Sequence, residues 1–598
     1  MLPRRLHSIV CTLLFLTVAQ TLVSAAPRLV SALSPANAQP LPSETDRLLA
    51  TGKLWITVKL FHPALAHRTG LNWDQALIDA LPKIRSAQTP AEYEAAVRAL
   101  MHTLESNTPL GPSAGQRIRI HHGFTPETGN PSESPFYSAF LYKPTNTPEE
   151  ITVPMGAFAI KVPLSEPAST GPPIPSPLTA RSQLDTYPST ELRILAAYKI
   201  WGVLRYFFAY RDLIDEDWDA LFAQFLPRMV AAKDDLEYNL AIAEWLTHAA
   251  DTFTAAQSYT LTQYFGEAPV GLRVFIVEKH VTITEILDPE AVKAGVKIGD
   301  VVKTVDGETL VNRFKRQELY LPASTPQRLG FEVVNRILNG PDDSNAVLTL
   351  EDPAGHRKDV TLKRSKRFIE PLAAESPSES TKLLRGDIGY ADLRRLKRTE
   401  VDAMFEKFRN ARAIIFDMRG VPADDSIRAI APRLASEPDV PAAIVTGPVA
   451  AVPDLPKGSI DSPSSSYFFI ETIGNSPQWK FKGRTMMLVD ERTIGPGEEA
   501  GLFLEAANKT EFAGTPTAGA HSVLSNFTVP GGVTITFSGQ DIRHANGGKL
   551  QRLGLQPNLN AEPTLNGIRS GKDEVLEKAL DYLSPKPPAN PKKLPSRA

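Results

Sequence analysis

The chain has 598 residues, with 65 Lys and Arg against 67 Asp and Glu, so its formal net charge at pH 7 is -2. The charges are well mixed and no basic patch stands out, which argues against a nucleic-acid partner. The length is enough for about three or four domains with large cores, and the 51 prolines indicate many loops and linkers.

Residues 1–26 are predicted to be a secretory signal peptide. Arg4 and Arg5 precede an apolar stretch that ends in the small residues Val23-Ser24-Ala25. Polar residues interrupt this stretch, which argues against a retained membrane anchor. Cys11 is the only cysteine, so the mature chain would have no disulfide and no thiol nucleophile. We therefore expect a secreted or periplasmic protein with no membrane span after cleavage.

Two stretches, 46–110 and 189–258, are predicted to be copies of one helical module. Apolar residues recur at helical spacing in both, and the same landmarks follow in the same order. The landmarks are Trp55, Trp73-Asp74, Leu81-Pro82 and Tyr93 in the first copy, and Trp201, Trp218-Asp219, Leu226-Pro227 and Tyr238 in the second. Large aromatic residues at such spacings favour a role in packing.

Segments of lower regularity separate and follow these modules. Residues 111–162 are expected to form a small β layer, and residues 163–188 a Pro-rich linker. The expected strands of the layer are Gln116–His121, Phe136–Tyr142 and Ala157–Val162. Residues 584–598 have the composition of a disordered tail.

Residues 268–366 contain the pattern AVKAGVKIGDVVKTVDGE at Ala291–Glu308, in which a short helix precedes a Gly-Asp turn and a Val-rich strand. A hairpin pattern closes the unit. The pattern resembles the PDZ signature. PDZ domains add an extended peptide to the edge of a sheet. On this resemblance, Gly299, Asp300 and Val301 are assigned to peptide binding.

Residues 384–583 are predicted to form an α/β domain. A buried strand is expected at Ala413–Phe416, and a later unit runs through strand Thr485–Val489, helix Glu498–Ala507 and strand Glu511–Ala513. In an α/β sheet, such a strand-to-helix turn lies at the carboxyl edge of the sheet, beside a helix N-terminus that can hold an oxyanion. A nucleophile is commonly found at this position.

The stretch from Gly483 to Ala520, together with residues 526–564, resembles the core of the tail-specific, or C-terminal-processing, serine proteases, particularly their tricorn-core-like branch. The expected fold class is therefore a multidomain α+β protein with a duplicated helical module, a PDZ-like β domain and an α/β protease core of the ClpP/crotonase-like type. The resemblance implies unfolded or C-terminal polypeptide segments as partners, and neither a metal nor another cofactor.

The same resemblance implies that the catalytic positions are vacated. The family carries its serine three residues before the Glu that opens the helix, which places Gly495 there, ahead of Glu498. The tricorn-like branch takes its base from an Asp-x-His motif, where this chain has Phe253. The branch with a Ser-Lys dyad takes its lysine directly after Thr-x-Gly, where this chain has Ala520. Covalent acyl transfer needs both a nucleophile and a base.

The loop that helps to form the oxyanion hole also departs from the family pattern, which resembles Asp-Leu-Arg-x-Asn-x-Gly-Gly. Asp417, Arg419 and Gly420 are kept, but Ala423-Asp424 replaces the two glycines. A carboxylate beside a developing oxyanion raises its energy by like-charge repulsion. Asn558 replaces the Asp of the family's Pro-Asp pair near the C-terminal end.

Two functions remain open on the sequence. The first is a catalytically impaired homologue that binds polypeptide. The second is an active serine endopeptidase with a displaced site, in which Ser522 or Ser525 is the nucleophile and His544 and Asp541 assist. Ser, His and Asp are also common in loops because they stabilise turns. The sequence leaves the peptide ligand and the oligomeric state open.

Overall fold

The computed structural model describes residues 40–62, 64, 72–105, 121–122, 150–164, 187–370, 379–448 and 466–584. Several predictions lie outside these residues: the signal peptide at 1–26, Cys11, strand Phe136–Tyr142, all but His121 of strand Gln116–His121, most of the linker 163–188 and nearly all of the tail 584–598. The elements below belong to one unit that begins at Leu41. Within the described residues, no helix combines the length and apolar character that a membrane crossing needs.

Six helices form two sets with matching lengths of 18, 14 and 13 residues. The first set is α1 (Glu44–Phe61), α2 (Trp73–Ser86) and α3 (Pro90–His102), and the second is α4 (Thr190–Phe207), α5 (Trp218–Ala231) and α6 (Asp235–Thr247). Ser43 and Ser189 cap the first helix of each set by accepting an N–H of its first turn. Both predicted helical stretches are therefore helical.

A buried arginine ties the helices of each set together. Arg47 in the first set and Arg193 in the second each donate to one carbonyl ahead of the first helix and to two carbonyls near the end of the second helix. The acceptors are Pro42, Ile84 and Arg85 in the first set and Pro188, Met229 and Val230 in the second. A buried guanidinium is costly unless its N–H groups are satisfied, so these bonds fix the helices relative to one another.

A β-hairpin packs against each set of helices. The strands are β2 (Glu150–Pro154) and β3 (Ala159–Pro163) on the first set, and β18 (Leu524–Val529) and β19 (Val533–Ser538) on the second, flanked by β1 (His121–His122) and β4 (Ala255–Gln257). Phe158 meets Tyr93 edge-on, with ring centroids 5.1 Å apart. Tyr238 donates to the carbonyl of Pro530 over 2.7 Å. The six helices and both hairpins share one hydrophobic core.

After the short helix α7 (Tyr259–Phe265) comes a six-stranded sheet with the order β10-β9-β7-β6-β5, and β8 pairs with β7. The strands are β5 (Leu272–Val277), β6 (His280–Ile286), β7 (Val301–Val305), β8 (Glu308–Thr309), β9 (Asn345–Glu351) and β10 (Arg357–Lys363). The helices are α8 (Pro289–Lys293), α9 (Leu310–Glu318) and α10 (Pro326–Val334). The predicted closing hairpin is confirmed, because β9 and β10 pair around the turn Asp352–Gly355.

The C-terminal α/β domain is built on a second six-stranded sheet, with the order β11-β12-β13-β16-β17-β21. Its strands are β11 (Thr381–Leu384), β12 (Ile388–Asp392), β13 (Ala413–Asp417), β16 (Arg484–Val489), β17 (Glu511–Gly514) and β21 (Leu559–Asn560). All neighbours are parallel except β11 and β12. A separate three-stranded sheet has the order β15-β14-β20, formed by β14 (Val440–Pro448), β15 (Ser466–Ile473) and β20 (Asp541–His544).

Helices cover both faces of the second six-stranded sheet. They are α11 (Val401–Lys407), α12 (Ile427–Leu434) and α13 (Pro496–Asn508) on one face, α15 (Glu574–Leu583) on the other, and the short α14 (Leu565–Arg569) before α15. Ile414 and Phe416 of β13 pack toward the first face and Ile415 toward the second, which explains why this strand is apolar throughout. The predicted strands and helix around residue 495 are confirmed within two residues.

Candidate functional site

The turn between β16 and α13 lies at the carboxyl end of a central parallel strand. Gly495 is the N-cap of α13, with φ 53° and ψ -115°, and Pro496 is the first helical residue. A positive φ favours glycine, and proline is common at the first helical position because an N–H is not needed there. The position that the family resemblance assigns to the nucleophile therefore has backbone but no side chain.

The structure brings the three predicted positions Gly495, Phe253 and Ala520 together. A Cβ atom added at Gly495 would lie 3.5 Å from Cζ of Phe253. The N–H of Gly495 donates to the carbonyl of Ala520 over 2.9 Å. Phe253 and Ala520 pack with Ile494 and Ala518 into a small apolar cluster. The positions assigned to the nucleophile and to both alternative bases thus form one apolar patch, which we call the vacated patch.

Backbone N–H groups near the vacated patch are already bonded. The N–H of Gly420 donates to the carbonyl two residues earlier over 2.6 Å, and that of Ala423 donates to Leu393 over 3.2 Å. The N–H of Gly495 is bonded to Ala520, and the next residue is a proline. An oxyanion hole needs donors that point at the developing charge. The predicted oxyanion-loop residues Gly420 and Ala423 therefore present no free N–H in this structure.

Glu498 connects the vacated patch to the first turn of α13. Its buried carboxyl group accepts hydrogen bonds from the hydroxyl of Thr517 and from the N–H groups of Gly519, at 2.8 Å, and Ala520, at 2.9 Å. Burial raises the pKa of Glu498 to about 7, although these three donors favour the charged form. The bonds hold Ala520 beside Gly495.

The residues predicted as a displaced catalytic set bind other groups. Ser522 donates its hydroxyl to the carbonyl of Gln540 over 2.7 Å. Asp541 accepts a hydrogen bond from Arg543 over 2.6 Å, and Nδ1 of His544 lies 2.7 Å from the carboxylate of Glu505. Ser525 is fully buried in β18. A catalytic serine needs an imidazole within about 3 Å. In this structure His544 and Asp541 therefore bind Glu505 and Arg543, and the displaced catalytic set stays a prediction.

The predicted peptide-binding residues also have another role. Gly299 donates its N–H to Ile283 over 2.8 Å, and the side chain of Asp300 is buried and accepts the N–H of Lys297. Val301 lies in β7, which has paired strands on both sides. Backbone groups inside a sheet cannot accept an added peptide strand. Peptide binding by these three residues stays a prediction, and the edge of the sheet on the β6 side is β5.

Contacts between α10 and β5 of the first six-stranded sheet domain and the loops beside the vacated patch were not predicted. Three side chains at the N-terminal end of α10 bond to carbonyls of these loops: Thr325 to Ala518 at 3.0 Å, Gln327 to Thr517 at 2.9 Å and Arg328 to Glu491 at 3.1 Å. The guanidinium of Arg492 lies over the ring of Phe275 in β5, 4.7 Å from its centroid. No local sequence pattern reveals these contacts, because the hydrogen-bonded residues are 163 to 193 positions apart.

His521 is a further residue that the sequence reasoning missed. It follows Ala520, it is buried, and its Nδ1 has no hydrogen-bond partner among the described residues. Burial lowers the pKa of His521 to about 3, so the imidazole is neutral near pH 7. The hydroxyl of the next residue, Ser522, binds the Gln540 carbonyl instead. Adjacency in sequence therefore does not make these two residues a catalytic pair.

The C-terminal part of the chain is an α/β core with a six-stranded sheet domain beside it. Residues 387–561 match peptidase family S41. This part of the chain is thus similar to peptidase family S41.

Among solved structures, mature CPAF in complex with lactacystin is similar in fold, with a TM-score of 0.50 and 12% identity over 66% of this chain and 97% of that chain. A CPAF mutant gives a TM-score of 0.51 and 12% identity, over 66% of this chain and 96% of that chain. The photosystem II D1 C-terminal processing protease gives a TM-score of 0.38 and 17% identity, over 65% of this chain and 99% of that chain. No curated protein sequence matches the chain.

Proposed function

We propose that this protein binds polypeptide segments and does not hydrolyse them at the position where the family resemblance expects a serine. The match of residues 387–561 to a peptidase family favours polypeptide as the ligand. The observation that carries the proposal is the convergence of Gly495, Phe253 and Ala520 in one apolar patch. The nucleophile and both alternative bases are missing at the same place. None of these three residues can therefore supply the group that another one lacks.

The chemistry of acyl transfer supports the same conclusion. A serine peptidase needs a hydroxyl, a base that takes its proton and donors for the oxyanion. The patch has no side chain at Gly495, a hydrocarbon ring at Phe253 and a methyl group at Ala520. The N–H groups of Gly495, Gly420 and Ala423 are all bonded to carbonyls. The patch therefore offers none of the three groups that acyl transfer needs.

The test is to expose the purified mature chain to a fluorophosphonate probe and, separately, to an unfolded polypeptide. The matched variants are Ser522→Ala and Ser525→Ala, and an active serine peptidase serves as the positive control. We expect no labelling and no cleavage by the wild-type chain. Labelling or cleavage that disappears in either variant would establish the alternative, an active endopeptidase with a displaced site.

We also propose that residues 268–366 are a PDZ-like domain that binds peptide along β5. Among the described strands, β5 is the last on its side of the sheet and pairs with β6 alone. The side chain of Ile276 is 42% exposed on this strand, and α10 packs beside it, where Phe331 stacks on Phe275 with centroids 6.1 Å apart. An exposed edge strand next to a helix is the arrangement that accepts an added peptide strand.

Fluorescence anisotropy with labelled peptides that end in a free carboxylate tests the β5 proposal. Ile276→Asp should weaken binding at least about tenfold, because it places a charge on the edge that would pair with the peptide. Val347→Asp is the matched control, since Val347 in β9 is also 42% exposed but lies on an inner strand of the same sheet. Equal effects of the two substitutions would contradict binding along β5.

The proposal includes a duplicated helical module and an exported location. Besides the equal helix lengths and the matched arginine bonds, each set has a tryptophan that donates its indole N–H to the carbonyl of the earlier tryptophan. These pairs are Trp73 with Trp55, and Trp218 with Trp201. Secretion or periplasmic location rests on the sequence of residues 1–26 alone. Cell fractionation with and without those residues tests it, and a cytoplasmic full-length chain would refute it.

A further inference from the structure

The two helical modules contact each other through two similar ionic clusters. Asp74 in α2 binds Lys59 of its own module and Lys199 of the other module, the latter at 3.2 Å. Asp219 in α5 binds Arg205 of its own module at 3.0 Å and Lys53 of the other at 2.7 Å. Each module thus supplies one aspartate, one basic residue for its own aspartate and one lysine for the aspartate across the interface.

The residues of the two clusters occupy equivalent positions in the two modules. Counted from Trp55 and Trp201, Lys53 and Lys199 stand two positions before, and Lys59 and Arg205 stand four positions after. Asp74 and Asp219 directly follow the second tryptophan of their modules. The first lysine of each module therefore crosses to the partner module. Such reciprocity is the property of an interface with twofold symmetry.

Residues close to a twofold axis must contact their own equivalents, and two pairs do so. Gly52 and Tyr198 stand three positions before the reference tryptophans, and a Cβ atom added at Gly52 would lie 2.8 Å from the ring of Tyr198. Ile56 and Gly202 stand one position after them, and a Cβ atom added at Gly202 would lie 2.5 Å from Cγ1 of Ile56. In each pair one module supplies a large side chain and the other supplies the space for it.

The similarity extends to the hairpins that cover the modules. The turn glycine Gly156 of the β2–β3 hairpin faces Pro42, one position before the serine cap of the first module. Gly531 of the β18–β19 hairpin faces Pro188, one position before the serine cap of the second. The first hairpin comes from the module's own segment, whereas the second comes from the α/β domain. The first module thus supplies its own covering hairpin, whereas the second takes its hairpin from the α/β domain.

We infer that α1–α3 with the β2–β3 hairpin occupy the place of a second protein copy on the α4–α5 surface, so that one chain contains both halves of a pseudo-twofold dimer. The partner that fits this surface is another copy of the same helical module, and the chain carries it. The inference rests on the proposed duplication but not on the loss of hydrolysis. The large and small residues at the axis make the two halves non-identical: two copies of the second half would bring Tyr198 against Tyr198 and leave a gap at Gly202.

The experiment exchanges the two residues at one axis position in the full-length chain. Ile56→Gly alone leaves a cavity, and Gly202→Ile alone places two isoleucines in the space of one. Each single variant should lower Tm by roughly 5 °C or more. If the positions are related by a twofold axis, the double variant restores one large and one small residue and should recover at least half of the summed loss.

The second axis pair provides an independent repeat, with Gly52→Tyr, Tyr198→Gly and the double variant. The control combines Ile56→Gly with Gly501→Ala, which crowds Leu555 in the α/β domain, and these two effects should add because the sites are distant. A variant that does not fold counts as a complete loss of stability. Recovery in both exchanges supports the pseudo-twofold interface. An exchange that loses as much as the sum of its single variants, at either pair, overturns it.

Discussion

Rebuilding a serine and a histidine at the vacated patch tests the reading of this site most directly. Gly495→Ser adds the hydroxyl, and Phe253→His adds a base whose ring occupies the space of the phenyl group, 3.5 Å from the new Cβ. We expect neither the single variant Gly495→Ser nor the double variant to become an efficient peptidase. The first lacks a base, and in both the N–H groups of residues 420, 423 and 495 are bonded to carbonyls.

The expected loss of hydrolysis rate in the double variant follows from the hydrogen bonds of the backbone. The N–H of Gly495 is bonded to Ala520, and those of Gly420 and Ala423 are bonded to other carbonyls. Each missing oxyanion donor costs roughly 100-fold to 1,000-fold in rate, so two missing donors cost roughly 10⁴-fold or more. The φ of 53° and ψ of -115° at Gly495 add about 1–3 kcal/mol of strain once a side chain is present. The double variant should therefore stay at least about 10⁴-fold slower than an intact serine peptidase.

The assay measures the rate of fluorophosphonate labelling and the turnover of an unfolded polypeptide by wild type, both single variants and the double variant. Phe253→His alone is the matched control, since it changes the ring without adding a nucleophile. Circular dichroism and Tm show whether the variants stay folded. Turnover by the double variant within about 100-fold of an active serine peptidase would refute the reasoning, because it would mean that usable oxyanion donors exist.

Three further predictions concern buried ionisable side chains. Glu498 has a raised pKa of about 7 when folded, so its stabilising contribution is present below pH 4.5 and is lost as the pH rises through 7. The free energy of unfolding of wild type relative to Glu498→Gln, measured in urea, should fall by about 3 kcal/mol between pH 4.5 and pH 7.5, and a constant difference would contradict the shift. His521 has a lowered pKa of about 3, so stability is lost as the pH falls below 6.5. Wild type should lose about 2 kcal/mol relative to His521→Leu between pH 7.5 and pH 5, and parallel pH profiles would show that the imidazole is not held neutral. Arg419 pairs with the fully buried Asp417 and holds its pKa below the usual range; Arg419→Met should cost about 3–5 kcal/mol by urea unfolding, and a cost under 1 kcal/mol would contradict the need for that partner.

The elements were largely predictable because each has a local signal. Alternating or continuous apolar residues mark the strands. Glycine and proline between an apolar strand and a helical stretch mark the turn at Gly495. The meeting of Phe253 with Gly495 was implied by the family resemblance, but no periodicity could reveal it, since 242 positions separate the two residues (495 - 253).

The functional geometry was less predictable than the elements, because short-range patterns do not specify it. Gly299, Asp300 and Val301 form a recognisable turn and strand, but only the strand order shows that β7 is an inner strand. His544 and Asp541 lie near two serines in sequence, yet their own ionic neighbours, Glu505 and Arg543, bind them instead. Side-chain partners depend on packing between distant segments, which the sequence alone does not specify.

The β18–β19 hairpin has a consequence for any attempt to divide the chain. Its residues Phe527, Val529, Ile535 and Phe537 belong to the core of the helical region, although they are covalently part of the α/β domain. A fragment that ends before residue 524 would leave the helices with an open apolar surface and invite aggregation. Heating or urea should therefore melt the helical region and the α/β domain in one cooperative transition, and limited proteolysis should release neither as a lasting fragment.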